Sequence, residues 1–446
     1  MKEKPDIFHR YDIRGEAPDE IDTEIVFGVG QALGQLWESG TVVVGRDLRK
    51  CSSAFSSALK AGLKSQGLDV VNIGLATTDM VSLKTRKEDY VGGVAVTASH
   101  MPPGYGGIKP LNSEGRILHN GEMDELKETY GEIEDSGYGS EVSQDFKEEY
   151  IQEIDSRFRE LFDGGLEGVK VVVDTGNGMG ALVLPDVLEK LGAEVRTLHN
   201  RIDPEFPGRD PEPRSDNLGE LRDVVKRTGA DLGVATDGDA DRAVFVDENG
   251  DFVSGDESLA ILAGKYLEVT DQAVVSINTS EAVEKYIESL GGETIYAPVG
   301  AVFTALKCLE NGAGFGGQPN GHLMDPEFTP YDSGTLFGAV MAGIVRDRPL
   351  SRLREDLPSN SRDRWNVETE SKEEKIDEVR EKAEEQGWLD RDRYDTLRLE
   401  TDNGSAVVRP SGSEPLVRVR IESESGKMLE KVRDDVESLG IQKEKR

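Results

Sequence analysis

Short apolar runs alternate with helical patterns from residue 20 to residue 346, and this alternation restricts most of the chain to α/β sheet units. The first unit places a helix over 20–39, a buried strand over 41–45, a helix over 52–66, a strand over 68–73 and a third apolar run over 91–96. That order predicts a parallel sheet with helices on both faces. Residues 137–145 are polar and rich in Gly and Ser, the pattern of a linker. A second unit follows, with strands at 168–174, 193–198 and 231–235 and helices at 180–191 and 218–228. Asp247-Glu248-Asn249-Gly250-Asp251 reads as a hairpin turn between strands at 243–246 and 252–253. A third unit starts at Gly255, with helices around strands at 273–277 and 294–297.

Composition then changes. Residues 347–364 are rich in Pro, Arg and Asp and read as a second linker. Beyond them come a helix at 371–386, several short strands and a last helix at 426–439, an α+β pattern without βαβ units. The expected domains are 1–140, 143–250, 251–347 and 363–446. A length of 446 residues suits two to four domains at roughly 100–200 residues each.

The chain carries 53 basic and 87 acidic residues, a net charge of −34. This excess repels nucleic acid, whose recognition depends on phosphate contacts. It fits a salty cytoplasm, where self-repulsion is screened; loss of activity and of melting temperature on adding potassium chloride would contradict that reading. A phosphate-bearing substrate then requires the few basic residues to converge on one cleft. No run of about 18 apolar residues exists, so no membrane partner is expected. The stretch Met1-Lys2-Glu3-Lys4-Pro5-Asp6 lacks an apolar signal core, and the expectation is a cytoplasmic protein. Cys51 and Cys308 lie in separate helical patterns and indicate no disulfide framework.

Four loops carry groups suited to chemistry. Thr97-Ala98-Ser99-His100-Met101-Pro102-Pro103-Gly104-Tyr105-Gly106-Gly107-Ile108-Lys109 follows an apolar strand, where ligands of α/β sheets bind. It is not a Gly-x-Ser-x-Gly elbow, and as sequence neighbours Ser99 and His100 are expected to point apart. Asp237-Gly238-Asp239-Ala240-Asp241-Arg242 sets three carboxylates at alternate positions, a set able to converge on Mg²⁺ if the backbone turns. An EF-hand is excluded because Arg242 stands where that loop needs glycine. Arg242 offsets the acidic charge and can meet a phosphate. Gly314-Phe315-Gly316-Gly317-Gln318-Pro319-Asn320-Gly321-His322 offers donors and acceptors to sugar hydroxyls through Gln318, Asn320 and His322. Arg409-Pro410-Ser411-Gly412-Ser413-Glu414-Pro415 combines an arginine, hydroxyls and successive N–H groups, a phosphate cradle. A further segment, Gly176-Asn177-Gly178-Met179-Gly180-Ala181, fits G-x-G-x-x-A. No carboxylate ends the next strand, so its glycines are read as tight strand-to-helix packing rather than dinucleotide binding.

In this order the four loops resemble those of the α-D-phosphohexomutase superfamily, which includes phosphoglucomutase, phosphomannomutase and phosphoglucosamine mutase. Tyr11-Asp12-Ile13-Arg14-Gly15 and Gly45-Arg46-Asp47-Leu48-Arg49 add to the resemblance, which spans essentially the whole chain. It implies a four-domain, heart-shaped molecule: three related α/β domains and a C-terminal α+β domain similar to the TATA-binding protein. It further implies a Mg²⁺-dependent mutase that interconverts hexose 1- and 6-phosphates, with hexose 1,6-bisphosphate as intermediate and activator. Ser99 would carry the phosphate and share Mg²⁺ with Asp237, Asp239 and Asp241. Arg14, Arg46, Lys109 and Arg242 would surround the transferring group. Gln318, Asn320 and His322 would read the sugar, and Arg409, Ser411, Gly412 and Ser413 would hold the distal phosphate. Ringed by Arg14 and Arg46, Lys109 is expected to have a lowered pKa suited to a general acid/base. Glucose or mannose phosphate is the first expectation for the substrate and glucosamine phosphate the second, for a monomer or homodimer.

This chain departs from the family pattern in three places. Met101 stands where asparagine is usual, Gln318 and Asn320 stand where Gly-Glu-x-Ser-Gly has glutamate and serine, and 297–300 lacks the usual threonine. A sugar-phosphate binding protein and a phosphatase that passes the Ser99 phosphate to water are the competing readings.

Overall fold

The computed structural model describes residues 7–358, 360–393, 396–411 and 415–443. The first sheet has six strands: β1 (Ile13–Glu16), β2 (Thr41–Arg46), β3 (Asp69–Leu75), β4 (Gly92–Val96), β5 (Tyr105–Asn112) and β6 (Glu141–Ser143), in the order β1-β5-β4-β2-β3-β6. It is mixed rather than parallel, because β5 returns antiparallel to both β4 and β1. This hairpin return places Ser99 in the β4–β5 turn and Lys109 back on the sheet beside Ala95. Strand β6 falls inside the stretch expected to be a linker. It pairs parallel with β3 at the sheet edge, and its fully exposed pattern removes the apolar signal that a buried strand shows.

The second sheet comprises β7 (Lys170–Asp174), β8 (Glu194–Leu198), β9 (Leu232–Thr236), β10 (Ala243–Asp247) and β11 (Phe252–Val253), with β10 and β11 forming the expected hairpin. The single helix expected over 180–191 is instead a 3₁₀ turn, Met179–Leu182, followed by a helix, Leu184–Lys190, with proline in its first turn. The third sheet is β12 (Gln272–Ser276), β13 (Glu293–Ala297), β14 (Phe315–Gly317) and β15 (Leu323–Met324), the last antiparallel to β14. One continuous hydrophobic cluster joins side chains of all three sheets with the helices Lys147–Leu161 and Gly334–Asp347. Buried polar ties lock the same units. Asp325 accepts from Arg157 Nε at 2.6 Å and from Tyr266 O–H at 2.7 Å. Asp79 accepts from Thr77 and Tyr150 at 2.5 Å and from Ser333.

Burial raises the Asp79 carboxyl to about 6 despite those three donors. Its folded pKa thus exceeds the unfolded value of about 3.9. Its stabilising contribution is full below pH about 4 and is lost as pH rises through about 6. Asp79→Asn should therefore gain stability relative to the parent as pH rises from about 4 to about 6, read as the shift in denaturant midpoint. A pH-independent difference would contradict this.

The C-terminal unit has a five-stranded antiparallel sheet of β16 (Ser361–Glu368), β17 (Leu389–Arg393), β18 (Thr396–Thr401), β19 (Gly404–Pro410) and β20 (Leu416–Ser423), ordered β16-β20-β19-β18-β17. The segment expected as a second linker already contains the helix Leu350–Glu355 and the start of β16. Strand alternation explains how this unit is held. Leu397, Leu399, Ala406, Val408, Val417, Val419 and Ile421 point to the helices Lys372–Gln386 and Gly426–Ser438 and form a core of their own. On the other face, Arg420 donates to the Asn278 carbonyl at 2.6 Å and Arg362 to Asp256 at 2.8 Å, while Glu422 accepts from Ser280 at 2.6 Å. The fourth unit thus meets the third through charged groups. Among the described residues, no helix is long and apolar enough to cross a membrane.

Candidate active site

Ser99 holds a left-handed backbone conformation, φ 51°, which is costly for a residue with a Cβ. Its neighbours enforce it. Thr97 Oγ1 accepts from the Ser99 N–H at 2.9 Å. Arg49, only 3% exposed, donates to the carbonyls of Ser99 (2.7 Å), Met101 (2.5 Å) and Pro102 (2.6 Å), with Asp47 3.2 Å from its Nε. A rigid fork of five donors suits such a cluster of carbonyls. The motif at 45–49 points to Arg46, but Arg49 is the residue that shapes the serine loop. Arg46 ends β2 opposite Val96 and donates to the Asp47 carbonyl at 3.1 Å. Arg14 lies on β1 opposite Gly107, its guanidinium 3.7 Å from Asp12.

The turn between β9 and β10 brings Asp237, Asp239 and Asp241 together, with an oxygen of each within 4.8 Å of the others and all three buried. Gly238 is required where this turn meets the serine loop, since a Cβ there would lie 2.5 Å from the Ser99 carbonyl oxygen. From below, a Cβ on Gly178 would meet the Asp237 and Gly238 carbonyls at 2.9 Å, and Met179 N–H donates to the Gly238 carbonyl at 2.9 Å. The glycine-rich segment at 176–181 is therefore a floor beneath the acidic turn, which agrees with its reading as close packing.

Lys109 Nζ donates to Asp239 Oδ2 at 2.8 Å, Asp241 Oδ2 at 2.9 Å and Tyr331 Oη at 2.8 Å. Thr78 donates to Asp239 Oδ2 at 2.6 Å and Tyr331 to Asp241 Oδ2 at 3.1 Å. The other oxygens, Asp239 Oδ1 and Asp241 Oδ1, are buried without a hydrogen-bond partner. Buried carboxylate oxygens that accept no hydrogen bond are costly, and such a set is what a hard divalent cation coordinates; the residues present fit a metal. Burial pushes the Asp237 carboxyl well up, and Asp241 and Asp239 add to the rise. Burial opposes the charge on Asp241 as well, but Lys109 foremost holds that carboxyl below the usual range.

The expectation of a lowered pKa for Lys109 is overturned. Burial works in that direction, but Asp239 and Asp241 outweigh it and hold the ammonium well above its ordinary value. Its contacts are carboxylates and Tyr331, not a ring of arginines, so it supplies fixed positive charge. The expectation for His100 also fails. The left-handed turn at Ser99 brings His100 Nδ1 to 3.3 Å from Ser99 Oγ, and Arg242 Nη2 lies 2.9 Å from the same nitrogen. Burial first, then Arg242, push the imidazole down to about 2, so it is neutral and accepts at Nδ1.

His322, expected to read sugar, is committed elsewhere. Arg242 Nε donates to its Nε2 at 3.0 Å, and its Nδ1 lies 3.0 Å from Asp332. A backbone bridge pairs Arg242 with His322, so the histidine fastens the sugar loop to the acidic turn. Asn320 is exposed at the tip of that loop. Gln318 is buried, and its Oε1 accepts from Gly300 N–H at 3.1 Å. The acceptor expected to receive sugar hydroxyls is therefore engaged.

In the fourth unit, Arg409 on β19 faces Arg418 on β20; burial and Arg418 lower its pKa. Arg418 Nη2 donates to Ser411 Oγ at 3.3 Å and Lys372 Nζ to the Ser411 carbonyl at 2.8 Å. Opposed guanidiniums are unfavourable until an anion lies between them. Gly412 and Ser413 lie outside the described residues. Sequence reasoning missed Arg418 and Lys372, as it missed Thr78, Tyr331 and Arg49. For Arg418 the signal was present in the alternation Leu416-Val417-Arg418-Val419-Arg420.

Four family models match in chain order: phosphoglucomutase/phosphomannomutase alpha/beta/alpha domain I at 5–136, domain II at 148–250, domain III at 254–361 and the C-terminal domain at 365–439. The fold and this site define a phosphohexomutase. The chain belongs to the phosphoglucomutase/phosphomannomutase family. It is 37% identical to a relative from Methanopyrus kandleri named "Probable phosphoglucosamine mutase", over 95% of each chain. It is 35% identical to a "Phosphoglucomutase/phosphomannomutase" of Thermococcus kodakarensis, over 98% of this chain and 97% of the relative. A crystal structure of a phosphoglucomutase/phosphomannomutase family protein from Burkholderia thailandensis superposes with a TM-score of 0.90 at 27% identity, covering 98% and 97% of the two chains.

Proposed function

We propose that the chain moves a phosphoryl group between O1 and O6 of a hexose through Ser99, with Mg²⁺ as its metal and hexose 1,6-bisphosphate as intermediate and activator. One observation carries this reading: Ser99 Oγ lies 3.3 Å from Asp237 Oδ2, at the edge of a buried carboxylate triad with two oxygens that accept no hydrogen bond among the described residues. Bound there, Mg²⁺ would draw charge from the phosphate oxygens. Lys109 and Arg242 supply fixed positive charge beside the acidic turn, and Gly238 keeps that turn against the serine loop. Arg409, Arg418 and Ser411 hold the phosphate that is not reacting. After the first transfer the bisphosphate turns end for end, and its other phosphoryl group returns to Ser99. Phosphosugar is the partner this chemistry needs, with neither nucleic acid nor membrane.

Glucose and mannose phosphates are the first reading for the sugar, favoured by the neutral amide of Gln318 where the family usually has a carboxylate. Glucosamine phosphate is the second, favoured by the name of the Methanopyrus relative. Phosphorus NMR with Mg²⁺, a trace of hexose 1,6-bisphosphate and each of the three 1-phosphates tests both. Conversion to a 6-phosphate is expected. Intact 1-phosphates throughout would favour a binding protein, and inorganic phosphate a phosphatase.

A further inference from the structure

Gln318 holds a buried donor that nothing among the described residues satisfies. The residue is 3% exposed, and its Nε2 has no hydrogen-bond partner. The amide cannot relieve this by rotating. Gly300 N–H donates to Oε1 at 3.1 Å, and a flipped amide would set two donors against each other. An unmet buried donor is costly, so a residue that keeps one in place needs a partner from elsewhere.

The place of Gln318 says where that partner comes from. It follows β14, while Gly300 follows β13 and opens the helix Ala301–Asn311, so both lie at the carboxyl ends of parallel strands, where ligands bind. A Cβ on Gly300 would lie 3.9 Å from the Tyr11 ring of the first unit, so this corner faces across to the N-terminal domain. The loop is also fixed relative to the acidic turn. Gln318 N–H donates to the His322 carbonyl at 2.8 Å, and Ala243 N–H donates to the Gly321 carbonyl at 3.1 Å.

We propose that Gln318 reads the sugar as a hydrogen-bond donor, selecting hexose phosphates that present an acceptor oxygen at the position it meets. This rests on the mutase reading and goes further, because it inverts the polarity of the glutamate that the family usually carries there. A carboxylate requires a hydroxyl that donates. The Gln318 amide requires only a lone pair, and disfavours a substituent that can only donate, such as an ammonium. Gln318→Glu is the matched inversion: one carboxylate oxygen still accepts from Gly300 N–H, and the other replaces the donor with an acceptor.

The test uses the full-length enzyme and the hexose 1-phosphate with the highest kcat/KM among glucose, mannose and glucosamine. The parent is compared with its deoxy and deoxyfluoro analogues at ring positions 2, 3 and 4. Fluorine accepts weakly and cannot donate. At one position the fluoro analogue should stay within a few-fold of the parent in kcat/KM while the deoxy analogue falls about tenfold or more. In Gln318→Glu the fluoro analogue at that position should fall to the deoxy level or below. Fluoro and deoxy analogues equally poor at all three positions in the unmodified enzyme would overturn the inference, whether or not the variant folds. Failure of every parent hexose phosphate to convert would instead overturn the mutase reading.

Discussion

Replacing Ser99 with alanine should lower interconversion of hexose phosphates by about 10⁴-fold or more, because in the proposed mechanism it removes the atom that would carry the phosphoryl group. Folding should be nearly unaffected. The loop is shaped by Arg49 through backbone carbonyls and by Thr97 through the Ser99 N–H, and neither interaction uses the serine hydroxyl. The left-handed backbone strains alanine and serine alike. Alanine gives up only the hydrogen bonds of Oγ with His100 and Asp237, both 3.3 Å long. Melting temperature and conversion, measured on one preparation, check the expectation. Turnover within tenfold of the parent would remove Ser99 from the reaction.

Replacing Lys109 with methionine should affect stability and turnover together, in a metal-dependent way. The ammonium is the shared partner of Asp239 and Asp241, all three groups being buried. Its removal leaves the two carboxylates facing each other with only the more distant Arg242 guanidinium, 3.9 Å from Asp241 Oδ1, beside them, a loss of about 3–5 kcal/mol for a broken buried pair. A divalent cation neutralises the same carboxylates, so Mg²⁺ should recover part of the loss, and the variant's melting temperature should rise with Mg²⁺ far more than the parent's. Turnover should stay low, because the fixed charge is gone. An unchanged melting temperature, or equal destabilisation with Mg²⁺ and with chelator, would contradict this placement of Lys109.

Much of the site is visible as motifs because short loops bring its parts together. The three aspartates lie within one six-residue turn, and Ser99 lies in the turn of one hairpin with Lys109 on its returning strand. What escapes sequence reasoning arises from long-range packing. Thr78 is unremarkable on a helix until β9 delivers Asp239 to it, and Tyr331 acquires a role only because the third unit packs against Lys109. The motifs place Lys109 correctly near the acidic turn but suggest the wrong neighbours, since side-chain charge balance depends on who is buried beside whom. His100 misleads because adjacent side chains diverge in extended backbone, whereas the turn at Ser99 is left-handed. The fold shows the same division. The buried strands β2, β4, β7, β9 and β12 announce themselves as apolar runs. Strands β6 and β16 are largely exposed and polar, and their composition alone resembles a linker.

The most direct test of the account is the fate of a labelled phosphoryl group. The protein would be incubated with Mg²⁺ and hexose 1,6-bisphosphate carrying phosphorus-32, the peptide containing Ser99 isolated, and the labelled enzyme then chased with unlabelled hexose 1-phosphate. We expect label on Ser99 and its transfer to hexose phosphate in the chase, with little inorganic phosphate. Label absent from Ser99, or released as inorganic phosphate, would contradict the central claim.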